Sequence, residues 1–370
     1  MKIVIAGCDA AGLETALMLK KKVKDAAKLI VVNENQYYEF RPSHKDSRID
    51  LSALFSKKGI DFVKGKVVAL DHTNKTVTFK NSKEKYDFLV LALGTVPNIG
   101  IPGKDNAIAY NDTTDLKRIH AHFKQVLGSS VDKKQQNKDK ALTIVVIGGG
   151  TTGVQLVCQV NEFLDKCCSE QGVRRIDIKL VLLEAYTDVL PAFPSNAREF
   201  VSEHLSRQGI DVRTGMEVRE IKKNALVLKD GSVIEAGTMI WCGGNKPHPL
   251  AKNANIKTAE NGGVVVNRYM QSTGDATIYA AGGLASIKGL RKTFDSESLG
   301  AHIRQAKIAA NNIASNVKEG TKKDYKYKNS WVFLDLGKTA MMVRGNTVLK
   351  GKYVKIIKFI REWFYLSGRH

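Results

Sequence analysis

The stretch Leu142 to Val157, LTIVVIGGGTTGVQLV, narrows the folds open to this chain more than any other. Leu142 to Ile147 is apolar apart from Thr143 and rich in Val and Ile, so it reads as a buried parallel strand. Gly148, Gly149 and Gly150 follow, then Thr151, Thr152 and Gly153. Apolar residues then recur at helical spacing through Val154, Val157 and Val160. Strand, glycine turn and helix in that order form the context in which G-x-G-x-x-G marks a dinucleotide site. Gly148 permits the tight turn, Gly150 lets the backbone approach a pyrophosphate, and Gly153 lets helix and strand pack closely. The helix N-terminus offers free N–H groups and a positive dipole end to the phosphates. A second strand, Ile178 to Leu183, ends in Glu184. A carboxylate there can hold the adenosine ribose hydroxyls and repels a 2′-phosphate, so NADH is favoured over NADPH. The interval from Gly153 to Glu184 exceeds the usual spacing of about 20 residues. The charged stretch Cys167 to Arg175 reads as the insert that lengthens it. On these residues alone, a glycine turn that holds nothing stays open as the alternative.

A second, poorer copy of the unit lies at the N-terminus. Ile3 to Ala6 is a strand, Gly7-Cys8-Asp9-Ala10-Ala11-Gly12 the turn, and Leu13 to Lys20 the helix. Leu29 to Val32 is the next strand, followed by Asn33 and Glu34, and Gly12 to Asn33 is the interval expected for a ribose-binding residue. Asp9 stands where the second glycine should be, and a carboxylate there repels phosphate unless it points away. Asn33 stands where an acid is usual and hydrogen-bonds a ribose more weakly.

Composition sets the outer limits. At 370 residues, with 43% hydrophobic content, two or three domains with real cores are expected. No 18-residue apolar run is present, so no spanning helix is expected. The chain enters a strand at Lys2, so no signal peptide is read. Five cysteines without C-x-x-C spacing point to a reduced, intracellular protein with no disulfide framework and no metal site. The net charge of +21 suits an anionic membrane surface or nucleic acid, but it is spread over many lysines. No recognised nucleic-acid motif accompanies it, so no nucleic-acid partner is expected.

Two dinucleotide units imply a flavin together with a nicotinamide, and further landmarks agree. Tyr86 to Thr95 and Thr277 to Gly283 are strands ending in small residues, and Thr238 to Trp241 leads into Cys242-Gly243-Gly244 and Pro247. With these in place the chain resembles the two-dinucleotide-binding flavoproteins of the pyridine nucleotide–disulfide oxidoreductase superfamily. Within it the resemblance is to type II NADH:quinone oxidoreductases and their ferroptosis-suppressor-like relatives. It covers nearly the whole chain. Asn35 to Pro42 resembles the loop after the second strand, Gln305 to Ile313 the quinone-side helix, and Ile357 to Arg369 the membrane-docking tail.

The resemblance implies an α/β fold of two Rossmann-like domains, the second inserted in the first, plus a C-terminal amphipathic tail. Residues 1–110 and 268–325 would form the FAD domain, 111–267 the NAD(P)H domain, and 326–370 the membrane-docking or dimerisation region. FAD would meet Gly7, Ala11, Gly12, Asn33, Glu34, Arg41, Val67, Ala92, Gly94, Gly282 and Gly283. NADH, or as lesser donor NADPH, would meet Gly148, Gly150, Thr152, Gly153, Glu184 and Gly244. Three residues are candidates near the chemistry. Gln155 stands where the family places a glutamate near the nicotinamide, or else it is a helix residue facing solvent. Gln305 is a quinone-side residue or a polar residue on a buried helix. His302 supplies a proton to the reduced quinone or is structural. The acceptor would be a quinone or another small molecule, at the inner face of a membrane reached from the cytoplasm.

In the tail, Tyr353, Ile356, Ile357, Ile360, Trp363 and Phe364 form one helical face, flanked by Lys352, Lys355, Lys358 and Arg361. This reads as an interfacial helix, or as one packed on the protein or on a homodimer partner. The adjacent Cys167 and Cys168 read as an ordinary surface pair or as a redox pair. Sulfide oxidation is disfavoured, since no cysteine follows Cys242, although Cys158 and Cys242 leave it open. The family's aspartate after the last small-residue strand is replaced by Gly283. Together Asp9, Asn33 and Gly283 weaken three contacts to FAD. Two functions follow: an FAD-dependent enzyme passing electrons from NADH to a quinone, or a degenerate member acting as a nucleotide-binding or structural subunit.

Overall fold

The structure, a computed structural model, describes residues 1–39, 48–80, 82–110, 113–130, 139–290, 293–296 and 298–367. It is an α/β protein of two compact units. The first comprises Met1–Val96, Lys246–Val332 and Ile360–His370, the second Pro97–Asn245 and Phe333–Phe359.

The first unit is built on a five-stranded parallel sheet in the order Ile278–Ala280, Phe88–Leu91, Lys2–Ala6, Lys28–Asn33 and Asp61–Lys64. Ile3 to Ala6 is central and fully buried. A strand covered on both faces has no polar side, so its unbroken apolar run is what the position demands. The helix Ala10–Val23 follows the first strand and buries Leu13, Ala16, Leu19 and Val23 at helical spacing. It packs against the helix Leu299–Val317, whose buried Ala306, Ala309 and Ala310 permit a close approach. A three-stranded antiparallel sheet, Val67–Asp71, Thr76–Phe79 and Ser82–Lys85, completes this half of the pattern.

The second unit repeats the plan. Its parallel sheet runs Ile108–Ala109, Thr238–Trp241, Thr143–Ile147, Lys179–Leu183 and Asp211–Arg213. An antiparallel sheet again accompanies it, made of Val218–Lys222, Ala225–Leu228 and Val233–Glu235. The helix after the glycine turn, Thr151–Gln171, is 21 residues long and ends at Gly172 with φ 65°. This corrects the reading of Cys167 to Arg175 as an insert. The helix carries on through Cys167 and Cys168, which extend the buried stripe of Val157, Val160 and Leu164. The two cysteines are therefore core residues, 0% and 4% exposed, and not a surface pair.

The strands Val332–Leu336, Thr339–Arg344 and Thr347–Lys350 lead into the C-terminal helix Lys352–Ser367. No glycine or proline interrupts that helix. Tyr353, Ile356, Phe359, Ile360, Trp363 and Phe364 are all exposed. The expected face is thus present, with Phe359 in place of the half-buried Ile357. Of the expected basic flank, Lys352 and Arg361 stay exposed and the other two lysines turn inward. Lys358 is buried with its Nζ 3.1 Å from the Asp335 carboxylate, and Lys355 lies 3.5 Å from the same group. Asp335 is 1% exposed, and a buried carboxylate needs cations and hydrogen bonds around it. That need turns the two lysines inward and fixes which side of the helix faces out.

Replacing Asp335 by Asn leaves the Lys358 ammonium buried without its counter-charge. The expected cost is about 3 kcal/mol of stability, read as a lower urea midpoint; an unchanged midpoint would show that the pair does not hold the helix.

Candidate nucleotide-binding turns

The two glycine turns share one construction. Gly7 and Gly148 have φ of 92° and 107°. A Cβ added to either would lie 2.3 Å from Ala92 O or 2.5 Å from Cys242 O, so only glycine serves. Gly12 and Gly153 close the turns, each so near the carbonyl of Gly7 or Gly148 that a Cβ would fall 2.2 or 1.8 Å from it. The residue ending the next strand reaches back to the second turn residue. In the first unit the Cys8 N–H donates to Asn33 Oδ1 at 2.9 Å, and in the second the Gly149 N–H donates to Glu184 Oε2 at 2.6 Å.

The turns differ at their third position. In the second unit this is Gly150, which caps the helix with no side chain, and a Cβ there would meet nothing within 4 Å. No side chain caps the backbone N–H groups that open that helix. In the first unit it is Asp9. Its Oδ1 accepts from the Ala11 N–H at 2.9 Å and the Gly12 N–H at 3.0 Å, the donors a phosphate would use. Its Oδ2 is turned toward the glycines across the turn, where Cβ atoms added at Gly282 and Gly94 would lie 3.2 and 3.5 Å away.

The second turn has the open cap and uncapped helix N-terminus that a dinucleotide diphosphate requires. Glu184 is 6% exposed and accepts from the Gly149 and Tyr186 N–H groups. A carboxylate has about four acceptor sites, so two remain for ribose hydroxyls. Thr152 sits in the first turn of the helix, and Gly244, φ 99°, has open space at its Cβ position. The first turn, as arranged, does not fit the diphosphate of FAD, because Asp9 already fills the seat. Asn33 has both ends of its carboxamide engaged, its Nδ2 donating to Asn35 O at 2.8 Å. Glu34 is exposed and 3.8 Å from Lys66. Val67 and Ala92 are buried. Gly283 is hemmed in: a Cβ there would lie 2.7 Å from Thr95 Cγ2, so an aspartate could not stand in its place without a shift. Arg41 lies outside the described residues.

The candidates near the chemistry fall in both units. Gln155, in the second, is a structural link: its Nε2 donates to Thr151 O at 3.0 Å, and its Oε1 accepts from the Asp335 N–H at 2.9 Å. The side chain is half-buried between these two partners. Gln305, in the first unit, is 5% exposed and accepts from the Gly282 N–H at 2.8 Å. His302 is half-buried near the start of the same helix. Asp335 is the residue sequence reasoning missed. It belongs to no motif, and its partners at 155, 355 and 358 are far from it in sequence.

All five cysteines are free and buried. Burial pushes each thiol upward, Cys158 to about 12 with help from Asp335 and Glu162, and Cys8 well up with help from Asp9. Cys242 is raised by burial alone. A thiol held protonated is a poor nucleophile, so the residues that left sulfide chemistry open do not support it.

The profile of the pyridine nucleotide-disulphide oxidoreductase family matches residues 1–312. Among curated relatives, the type II NADH:quinone oxidoreductase of Staphylococcus epidermidis is 24% identical over 91% of this chain and 87% of its own. That of Staphylococcus aureus is 23% identical over 99% of this chain and 96% of its own. Among solved structures, NDH2 from Plasmodium falciparum superposes with a TM-score of 0.84 at 18% identity, covering 99% of this chain and 96% of that one. The sulfide:quinone oxidoreductase of Aquifex aeolicus gives 0.81 at 18% identity, covering 99% and 90%. These two likenesses establish the fold.

With every thiol buried and its pKa raised, none of the five should react readily with Ellman's reagent at pH 8 in the native protein, and all five should react in guanidinium. One fast-reacting thiol in the folded chain would restore the case for cysteine chemistry.

Proposed function

The chain belongs to the pyridine nucleotide–disulphide oxidoreductase family, and from that premise we propose that its second unit binds NADH and that the chain passes the nucleotide's two electrons to a quinone at a membrane surface. The observation that carries the reading is the open turn at Gly150 beside the buried Glu184. An unfilled helix N-terminus takes the diphosphate, and a carboxylate at the end of the next strand takes the ribose and disfavours a 2′-phosphate. The names of the two staphylococcal relatives, similar over nearly the full chain, support the quinone. The balance is NADH + H⁺ + quinone → NAD⁺ + quinol. Gln305, held at Gly282, and His302 are the candidates for the acceptor side. The family typically binds FAD as well, and in the first unit Asp9 occupies the N–H groups that the FAD diphosphate would use.

One observation favours a second reading. With Asp9 on the N–H groups of the first helix, the chain would keep NADH, lose a tightly held flavin, and act as a nucleotide-binding subunit. Turnover separates the two: the enzyme oxidises NADH with a quinone once FAD is supplied, and the subunit does so neither with nor without added FAD.

The C-terminal helix supports the membrane surface. Among the described residues no helix is long and apolar enough to cross a membrane. The exposed face from Tyr353 to Phe364 carries six large apolar side chains, each worth about 1.5–3 kcal/mol if fully buried. Lys355 and Lys358 face Asp335, so the electrostatic share is smaller than the sequence alone suggests.

Calorimetric titration should show NADH bound at least about tenfold, or 1.4 kcal/mol, tighter than NADPH. Glu184→Ala should narrow that ratio, and equal affinities in the unmodified protein would remove Glu184 from the ribose.

Ile360→Ser, Trp363→Ser and Phe364→Ser together should abolish liposome sedimentation while the melting temperature holds. Removing the helix outright is a poor test, because it also strips Asp335 of its lysines. Binding by the unmodified protein should weaken only modestly as salt rises. Undiminished sedimentation of the triple variant would put the anchor elsewhere.

A further inference from the structure

One chain holds the same turn twice, and the copies differ at the position nearest a bound phosphate. Gly150 leaves its helix N-terminus open, whereas Asp9 brings a carboxylate onto the corresponding N–H groups. The second turn thus serves as the control for the first. We propose that Asp9 is an internal competitor for the diphosphate seat of the first unit, so that the chain takes FAD only as a dissociable ligand.

The geometry gives the reason. A phosphate at a helix N-terminus is held by backbone N–H groups and the positive end of the dipole. Oδ1 of Asp9 already accepts from two of those groups, at 2.9 and 3.0 Å. Its Oδ2 extends toward Gly94 and Gly282, where added Cβ atoms would lie 3.5 and 3.2 Å from it. The carboxylate therefore spans the seat from donors to opposite wall. For a diphosphate to enter, Asp9 must rotate off the helix, and its charge then stands beside the phosphate. Like charges so placed repel one another. The opposite wall offers no substitute for the contact that the resemblance places at Gly283, since Thr95 Cγ2 would lie 2.7 Å from a Cβ there.

Ala11, Ala92, Ala281 and Ala306 form a buried cluster of small side chains beside the turn. The restriction falls on the charged middle of the dinucleotide.

The proposal concerns the first unit alone, whereas the NADH reading rests on the second, so the two fail separately. The test is a titration of the purified full chain with FAD, followed by flavin fluorescence, for the unmodified protein, Asp9→Gly and Asp9→Asn. NADH binding and thermal melts are measured on the same samples. Glycine and asparagine are both good residues at this cap, so both variants should fold. The unmodified protein should lose flavin on dialysis. Asp9→Gly should bind FAD about 100-fold tighter or more. Asp9→Asn, which keeps the cap without the charge, should fall between. NADH affinity should be the same in all three. Binding by Asp9→Gly with none by the unmodified protein carries the assignment to its limit. Stoichiometric FAD that survives dialysis in the unmodified protein overturns it, and so do variants that bind no tighter. Loss of NADH binding in all three samples would defeat the proposed function and leave the FAD comparison standing.

Discussion

A helix that begins on a glycine turn starts with backbone N–H groups that no earlier turn of helix can satisfy. Much of this chain is arranged around that shortage, because it arises twice. In each unit the residue ending the second strand supplies one acceptor, Asn33 to Cys8 and Glu184 to Gly149. The donors deeper in the turn are treated differently. In the second unit no side chain caps them, and in the first they are met by Asp9. One set of unsatisfied donors is available to an external anion, and the other has an internal one.

The duplication is also what made the fold legible. Leu142 to Ile147 and Ile3 to Ala6 are unbroken apolar runs, and only a strand buried on both faces tolerates them beside a glycine turn. Glu184 could be placed from the strand that precedes it. Asp9 was visible as a departure, but its partners were not, since a sequence does not say whether a carboxylate turns out to solvent or back onto its own helix. The cysteines at 167 and 168 were misread because the charges around them suggested a surface, whereas the spacing from Val157 through Leu164 continues the buried stripe to them.

The tail shows the other limit. Helical periodicity located the apolar face from Tyr353 to Phe364, yet it sorted every lysine to the outside. Lys355 and Lys358 turn inward only because Asp335 waits there, in a strand that no local pattern connects to them. Gln155 is drawn to the same strand through the Asp335 N–H, a partner 180 residues away that no local pattern announces. Long-range partners of single charged residues leave no periodic trace.

The buried pair has a mechanical consequence. An amphipathic segment that is a coil until it meets an apolar surface spends part of its binding free energy on ordering itself. Here the helix from Lys352 is already formed and held in register by Lys358 against Asp335. It therefore meets any apolar partner as a preshaped plate, with little coil-to-helix entropy left to lose. Its encounter should be that of a rigid body, and its affinity should vanish with the tertiary structure that keeps the plate in position.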